Sequence, residues 1–256
     1  MLKSLISAFL MYSRIPVPQV EWKEENRRYS LGFFPLIGAV CGGLLILLRV
    51  ICEILNANQL IFAAAAVFLP VLVTGGIHLD GFCDVTDALS SYAEKEKRLE
   101  ILSDPHIGSF AVMRVFMYLI LQTALFTGIH GVKETAAVAC GYVISRALSG
   151  LSAVCFKAAK KEGTLQSFVQ PSHKNFTAAM EIFFIVSAGT AAVVLFPVRG
   201  AVCLAVCAAV LFCCRHTAYK NFGGYTGDVC GWFQQLCEIW YLTAFVLTKL
   251  ITGALA

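Results

Sequence analysis

A chain of 256 residues that is 58% hydrophobic and 14% charged, with mean hydropathy +0.75, has too little polar surface to cover a soluble core of its size; soluble domains carry about 45–50% apolar and about 25% charged residues. The bilayer is therefore the expected solvent. The net charge of +4 comes without basic runs and gives a nucleic-acid partner no support. Eleven cysteines, most of them in apolar stretches and with no Cys-x-x-Cys pair, read as small hydrophobes and not as a metal or disulfide framework.

Taken in chain order, residues 4–12 form an apolar run too short to span, and no small-x-small cleavage site precedes Arg14-Ile-Pro-Val-Pro18. An interfacial or re-entrant segment is expected there. A spanning helix needs about 20 mostly apolar residues, and candidates follow at 33–55, 60–76, 110–130, 135–156, 178–196, 200–214 and 236–253. The fold class expected is all-α: a polytopic helical membrane protein of about seven spans, in one domain over 1–256. A β-barrel would need short alternating segments instead. Segments 1–32, 77–109, 157–177 and 215–235 are long and polar and hold fourteen Lys/Arg, while the opposite connections hold only Lys133 and Arg199. Cytoplasmic loops carry the Lys/Arg excess. All four long segments are thus placed inside, and seven spans put the C-terminus outside.

The chemistry concentrates on that side. In Thr74-Gly-Gly-Ile-His-Leu-Asp-Gly-Phe-Cys-Asp-Val-Thr-Asp87, three aspartates stand at 80, 84 and 87. On a helix turning ~100° per residue, offsets of four and seven bring them within about 60° of one face. Three such charges repel unless a cation neutralises them, and hard oxygen ligands suit Mg²⁺. The plain alternative is a solvated acidic helix end, but segment 77–109 holds seven of the sixteen acids and abuts an apolar span, where ionisable groups are usually functional. Asp104, just before Pro105, is either a fourth metal ligand or a helix cap. His78 and His106 are candidates for proton transfer or phosphate contact.

In Phe222-Gly-Gly-Tyr-Thr-Gly-Asp-Val-Cys-Gly231, residues Gly223, Gly224, Thr226 and Gly227 can present backbone N–H groups to a substrate anion. Asp228 can complete a metal site, and Glu238 follows at the start of the last span. A plain connector explains the same glycines. Arg14, Arg27, Arg28, Lys157, Lys160, Lys161 and Lys174 can attract a phosphorylated substrate or anionic headgroups, or simply record the positive-inside bias. Arg146 lies within a span and needs an internal partner, an aspartate of the cluster or a substrate phosphate.

Arg14-Ile-Pro-Val-Pro18, Phe34-Pro-Leu-Ile-Gly38, Gly76-Ile-His-Leu-Asp-Gly-Phe-Cys-Asp-Val-Thr-Asp87, Ile101-Leu-Ser-Asp-Pro-His-Ile-Gly108 and Gly223-Gly-Tyr-Thr-Gly-Asp-Val-Cys-Gly231 together resemble the cobalamin synthase family, the adenosylcobinamide-GDP ribazoletransferases. The resemblance runs nearly end to end. Ala88 and Ala111 depart from it, standing where the family commonly has glycine. It implies that adenosylcobinamide-GDP is joined to α-ribazole or its 5′-phosphate with loss of GMP, giving adenosylcobalamin or its 5′-phosphate. It also implies Mg²⁺ and the inner membrane of a prokaryote, with the site facing the cytoplasm. Asp80 and Asp84 are then the first metal ligands, Asp87 a third ligand or the general base, and Asp104 and Asp228 further ligands. His78 is the other candidate for proton transfer, and Arg146 contacts substrate. The oligomeric state is left open, a homo-oligomer among the options.

Two other classes compete. The pattern of CDP-alcohol phosphotransferases, which act on lipids, is matched only by Asp80-Gly81, since Asp84-Val85 stands where it has Ala-Arg. A carboxylate-lined cation transporter should hold its acids mid-membrane in two repeated halves, and no second copy of the cluster is visible.

Overall fold

The computed structural model describes residues 1–160 and 163–254; Lys161 lies outside them. Among the described residues there are helices and no strands. The helices are α1 (Leu2–Tyr12), α2 (Glu24–Arg27), α3 (Phe34–Ile54), α4 (Gln59–Thr74), α5 (Ile77–Ser90), α6 (Lys95–Ile101), α7 (Ser109–Thr127), α8 (Gly131–Cys155), α9 (Thr164–Val169), α10 (Lys174–Leu195), α11 (Pro197–Phe222) and α12 (Gly227–Ala254). Six helical segments are long and apolar enough to cross a membrane: Glu24–Ile54, which ends in α3, then α7, α8, α10, α11 and α12. The pair α4–α5 makes a seventh as a broken span, bent by 96°. The chain is a polytopic helical membrane protein, and α1 is the short apolar helix expected at its N-terminus.

Two boundaries differ from expectation. Helix α11 runs on to Phe222, and α12 starts at Gly227, nine residues before the predicted span. The segment 215–235 is therefore almost all helix, and only residues 223–226 connect. Hydropathy falls at Arg215-His216 and again at Gln234-Gln235, but a helix continues through polar residues when they find partners. Gln234 does so, donating from Nε2 to Glu238 at 3.1 Å.

Helix α8 is the axis of the packing. Along α3, Gly38 lies against Tyr142, Gly42 against Ala139, and Arg49 donates to Thr135, so the two helices run antiparallel in close contact. On the other side the Tyr241 hydroxyl of α12 donates to the Ala137 carbonyl at 2.8 Å. Small residues at these contacts let helix backbones approach, which is how helices associate where lipid supplies no hydrophobic drive.

The four long segments meet at one end of the bundle. Arg27 donates to the Ser167 carbonyl, His173 N–H to the Arg28 carbonyl, and Lys160 to Leu99 and Ser103. Arg98 bonds Asn221. The other end is tied by Arg49 with Gln59 and the Ile129 carbonyl, and by Glu134 with Lys249 and Arg199. The eleven cysteines are all free thiols, most of them buried.

Candidate functional site

The break between α4 and α5 falls at Gly75 and Gly76, whose φ of 68° and 82° other residues rarely adopt. After it, α5 crosses the first turns of α12. Gly81 makes the crossing close: a Cβ there would stand 2.8 Å from the Asp228 carbonyl oxygen and 2.9 Å from its Cα. One turn deeper, Gly231 lies against the His78 backbone. Asp80 and Asp84, one helical turn apart on α5, are thereby set beside Asp228 in the first turn of α12. Asp84 is half-buried, with Asp80, Asp228 and Asp87 as its nearby like charges. Oxygen donors of this kind fit a hard divalent cation. Among the described residues no three His, Cys, Asp or Glu groups converge as a ready cage, but Mg²⁺ typically takes only one or two carboxylates and completes its shell with water and substrate phosphates.

Asp87 stands differently. Its Oδ2 accepts from the Gly108 N–H at 2.5 Å and its Oδ1 from the Ala111 N–H at 2.8 Å, so both oxygens cap the start of α7. A carboxylate at a helix N-terminus satisfies donors that the helix itself leaves free. Asp104 is exposed and forms its own turn: Oδ1 accepts from the His106 N–H at 2.9 Å and meets the His106 ring at 2.7 Å. That backbone bond, then the ring, hold the Asp104 carboxyl below the usual carboxylate range. His78 is buried, its ring 5.5 Å from Phe34, and its Nδ1 has no hydrogen-bond partner.

The glycine-rich turn is built as a junction. Gly223 ends α11 in the left-handed conformation. Tyr225 N–H donates to Lys157 and its carbonyl accepts from Ala159, which pins the turn to the segment after α8, and burial pushes the Tyr225 phenol well up. A Cβ at Gly224 would collide with Lys157 and Ala158. Thr226 caps α12, accepting from the Val229 N–H at 3.2 Å and standing 3.3 Å from Asp228 Oδ2. Gly227 opens α12 and lines a cavity of ≈ 230 Å³ with Lys160, Ser103 and Asp228.

Arg146 has found another partner than expected. It pairs with Glu238 at 2.8 Å, both almost fully buried, and also donates to the Tyr142 carbonyl. The aspartates lie at the end of the bundle, whereas Glu238 faces Arg146 from the neighbouring helix, so the shortest route to neutrality is sideways. Arg146 also lines a small cavity of ≈ 10 Å³ with Gly76, Tyr118 and Gln235.

Two larger cavities flank Asp80. One, of ≈ 280 Å³, is lined by Tyr12, Phe34, His78, Gly150 and Phe168, with Asp80 and Asp228 also in its wall. The other, wider and more open at ≈ 760 Å³, lies between α1, the α4–α5 turn and α7, with Arg14 and Asp80 in its wall. The sequence reading missed Glu181, fully buried on α10 with neither carboxylate oxygen partnered. Its signal was present, because Glu181 is the only charged residue between 178 and 196.

Fold and site together define a polytopic membrane protein with an acidic, cavity-flanked centre at one end. A family model described as Cobalamin-5-phosphate synthase matches residues 4–246. The adenosylcobinamide-GDP ribazoletransferase of Lachnoclostridium phytofermentans is 40% identical over 248 residues, covering 97% of this chain and 95% of that protein. Proteins of the same name from Clostridium botulinum (29% over 245 residues; 93% and 94% covered) and Geobacillus kaustophilus (31% over 233; 88% and 87%) are similar as well. No solved structure matches. The chain belongs to the cobalamin-5-phosphate synthase family.

Proposed function

We propose that the chain joins adenosylcobinamide-GDP to α-ribazole or its 5′-phosphate, releasing GMP, at the cytoplasmic face of the cell membrane. The observation that carries the site is the close crossing at Gly81, which brings α5 against Asp228 of α12 and leaves Asp80 and Asp228 in the wall of one cavity, with Asp84 one turn further along α5. In the reaction a ribazole hydroxyl oxygen bonds to the phosphorus on the cobinamide side. The bond from that phosphorus to the oxygen of GMP breaks, and the hydroxyl proton passes to a base.

One or two of Asp80, Asp84 and Asp228 would hold Mg²⁺, which when bound neutralises charge on the phosphoryl oxygens and on departing GMP. Of the two candidate bases, His78 lines the cavity and has an unpartnered ring nitrogen, whereas both Asp87 oxygens are engaged at α7. His78 is accordingly assigned the proton, and Asp87 the task of fixing α7 against α5. Fourteen Lys/Arg in the long segments against two opposite support the cytoplasmic placement.

The test is Asp80→Asn and Asp84→Asn, assayed by GMP release with Mg²⁺. Asparagine keeps the shape and removes the charge, so rates should fall by orders of magnitude in protein that remains inserted and folded. Wild-type activity should vanish in EDTA and return with Mg²⁺ or Mn²⁺. Near-normal rates in both variants, or full activity in EDTA, would refute the metal-centred site.

A further inference from the structure

The two cavities that share Asp80 differ in character. The ≈ 280 Å³ cavity is the less open of the two, and its wall is aromatic: Tyr12 stands 4.4 Å from Phe34 and 5.8 Å from Phe168, ring centre to ring centre. Sites for small molecules typically measure about 300–1,000 Å³, so this space takes one compact ligand and cannot admit a corrinoid macrocycle. Its polar groups are few, and one of them is unsatisfied. His78 presents a buried Nδ1 without a partner. Behind Gly150, one of the lining residues, stands Glu181, whose carboxylate oxygens also lack partners; a Cβ at 150 would collide with its Oε1. Buried polar groups left without partners are costly and in native proteins call for an explanation. A nucleoside whose hydroxyl reaches His78 supplies one for that nitrogen.

The ≈ 760 Å³ cleft is the opposite. It is open at the bundle end, and Arg14 reaches into it over Gly75, held there by the Arg14 N–H bond to the Val73 carbonyl at 2.7 Å. Among the described residues the Arg14 guanidinium makes no ion pair within the protein.

We propose that the aromatic cavity seats the flat heteroaromatic base of the incoming nucleoside, while the more open cleft takes the phosphate end of the larger donor, so that the two substrates meet across Asp80. The assignment rests on the transferase reading above. The rings of Tyr12, Phe34 and Phe168 bury the base, His78 stands at the wall for the proton of the attacking hydroxyl, and Arg14 meets the phosphates.

The experiment is steady-state kinetics in both substrates, together with equilibrium binding of radiolabelled α-ribazole in the absence of donor. Ala153→Leu on α8 and Leu165→Phe on α9 fill the aromatic cavity from two sides, and either suffices if the other does not fold. Each should raise KM for α-ribazole by about tenfold or more and leave KM for adenosylcobinamide-GDP within about twofold, since even one methylene in an apolar pocket shifts discrimination by about tenfold. Arg14→Gln should do the converse. Unchanged KM for α-ribazole in a folded cavity-filling variant, or a rise in the donor KM instead, overturns the assignment while leaving the transferase reading intact. Binding of α-ribazole that is lost in the variants, without GMP release by wild type, keeps the cavity and removes the reaction. Neither turnover nor binding by wild type removes both.

Discussion

A single methyl group at Gly81 should test the arrangement on which the site depends. The Cβ of Gly81→Ala would lie 2.8 Å from the Asp228 carbonyl oxygen and 2.9 Å from its Cα, where ordinary contact begins at 3.4 Å. The obstacle is backbone and cannot rotate away, so α5 and α12 must part by about 0.6 Å (3.4 − 2.8). Overpacking of this kind costs about 1–3 kcal/mol. Its larger effect is on geometry, because Asp80 and Asp84 ride on one helix and Asp228 on the other. A 1 Å displacement of reacting groups costs about a hundredfold in rate, so a little over half that displacement should cost about tenfold in kcat/KM, and Gly81→Val more. The assay is GMP release by protein reconstituted in liposomes with Mg²⁺, read beside the thermal unfolding midpoint. Gly43→Ala is the control: nothing lies within 4 Å of its Cβ, and alanine in a helix should stabilise by about 0.5–1 kcal/mol. Wild-type rates and an unchanged midpoint in Gly81→Val would show that α5 and α12 are not in contact there.

Glu238→Leu leaves the Arg146 guanidinium buried without its partner and should destabilise the protein by about 3–5 kcal/mol, while adding Arg146→Met should recover most of that; equal losses in the single and double variants, by unfolding in detergent, would argue against the pair. Asp87→Ala frees the Gly108 and Ala111 N–H groups and should cost about 0.5–2 kcal/mol as a lost cap. Asp87→Asn should cost less, and hydrogen exchange at 108–111 would report it directly. On sidedness, Lys95→Cys should resist an impermeant thiol reagent applied to intact cells and Lys133→Cys should react; the reverse pattern would invert the topology.

Most of this was legible in the sequence for reasons that can be named. Apolar runs of about 20 residues mark spans because the bilayer fixes their length, which is why 33–55 and α3 agree within a residue at each end. Where helix and bilayer part company, hydropathy is blind: α11 and α12 extend through Lys220 and Asn221 and through Gln234 and Gln235. The shared face of Asp80 and Asp84 followed from helical spacing alone. That Asp228 joins them depends on a crossing between helices far apart in sequence, and periodicity within one helix carries no such information. Asp87 illustrates another limit. Its spacing puts it with the other aspartates, but its oxygens turn to the α7 backbone, a partner no side-chain pattern could name. Glu181 was visible as a lone acid in an apolar run; its place behind Gly150 needed the packing of α8 on α10.

The Arg146–Glu238 pair also bears on how the chain is made. The two residues are 92 apart in sequence, so in synthesis from the N-terminus Arg146 reaches the bilayer well before its counter-charge exists. A guanidinium at the middle of a spanning helix costs about 2.5–3.5 kcal/mol by insertion measurements, and α8 must bear that cost until α12 arrives. The last helix therefore acts as a late checkpoint on assembly: it brings Asp228 to the site at its first turn and neutralises the core three turns on. A chain that stops short of Glu238 exposes a charge that membrane quality control can recognise, so truncated products should be cleared before they gather half a site.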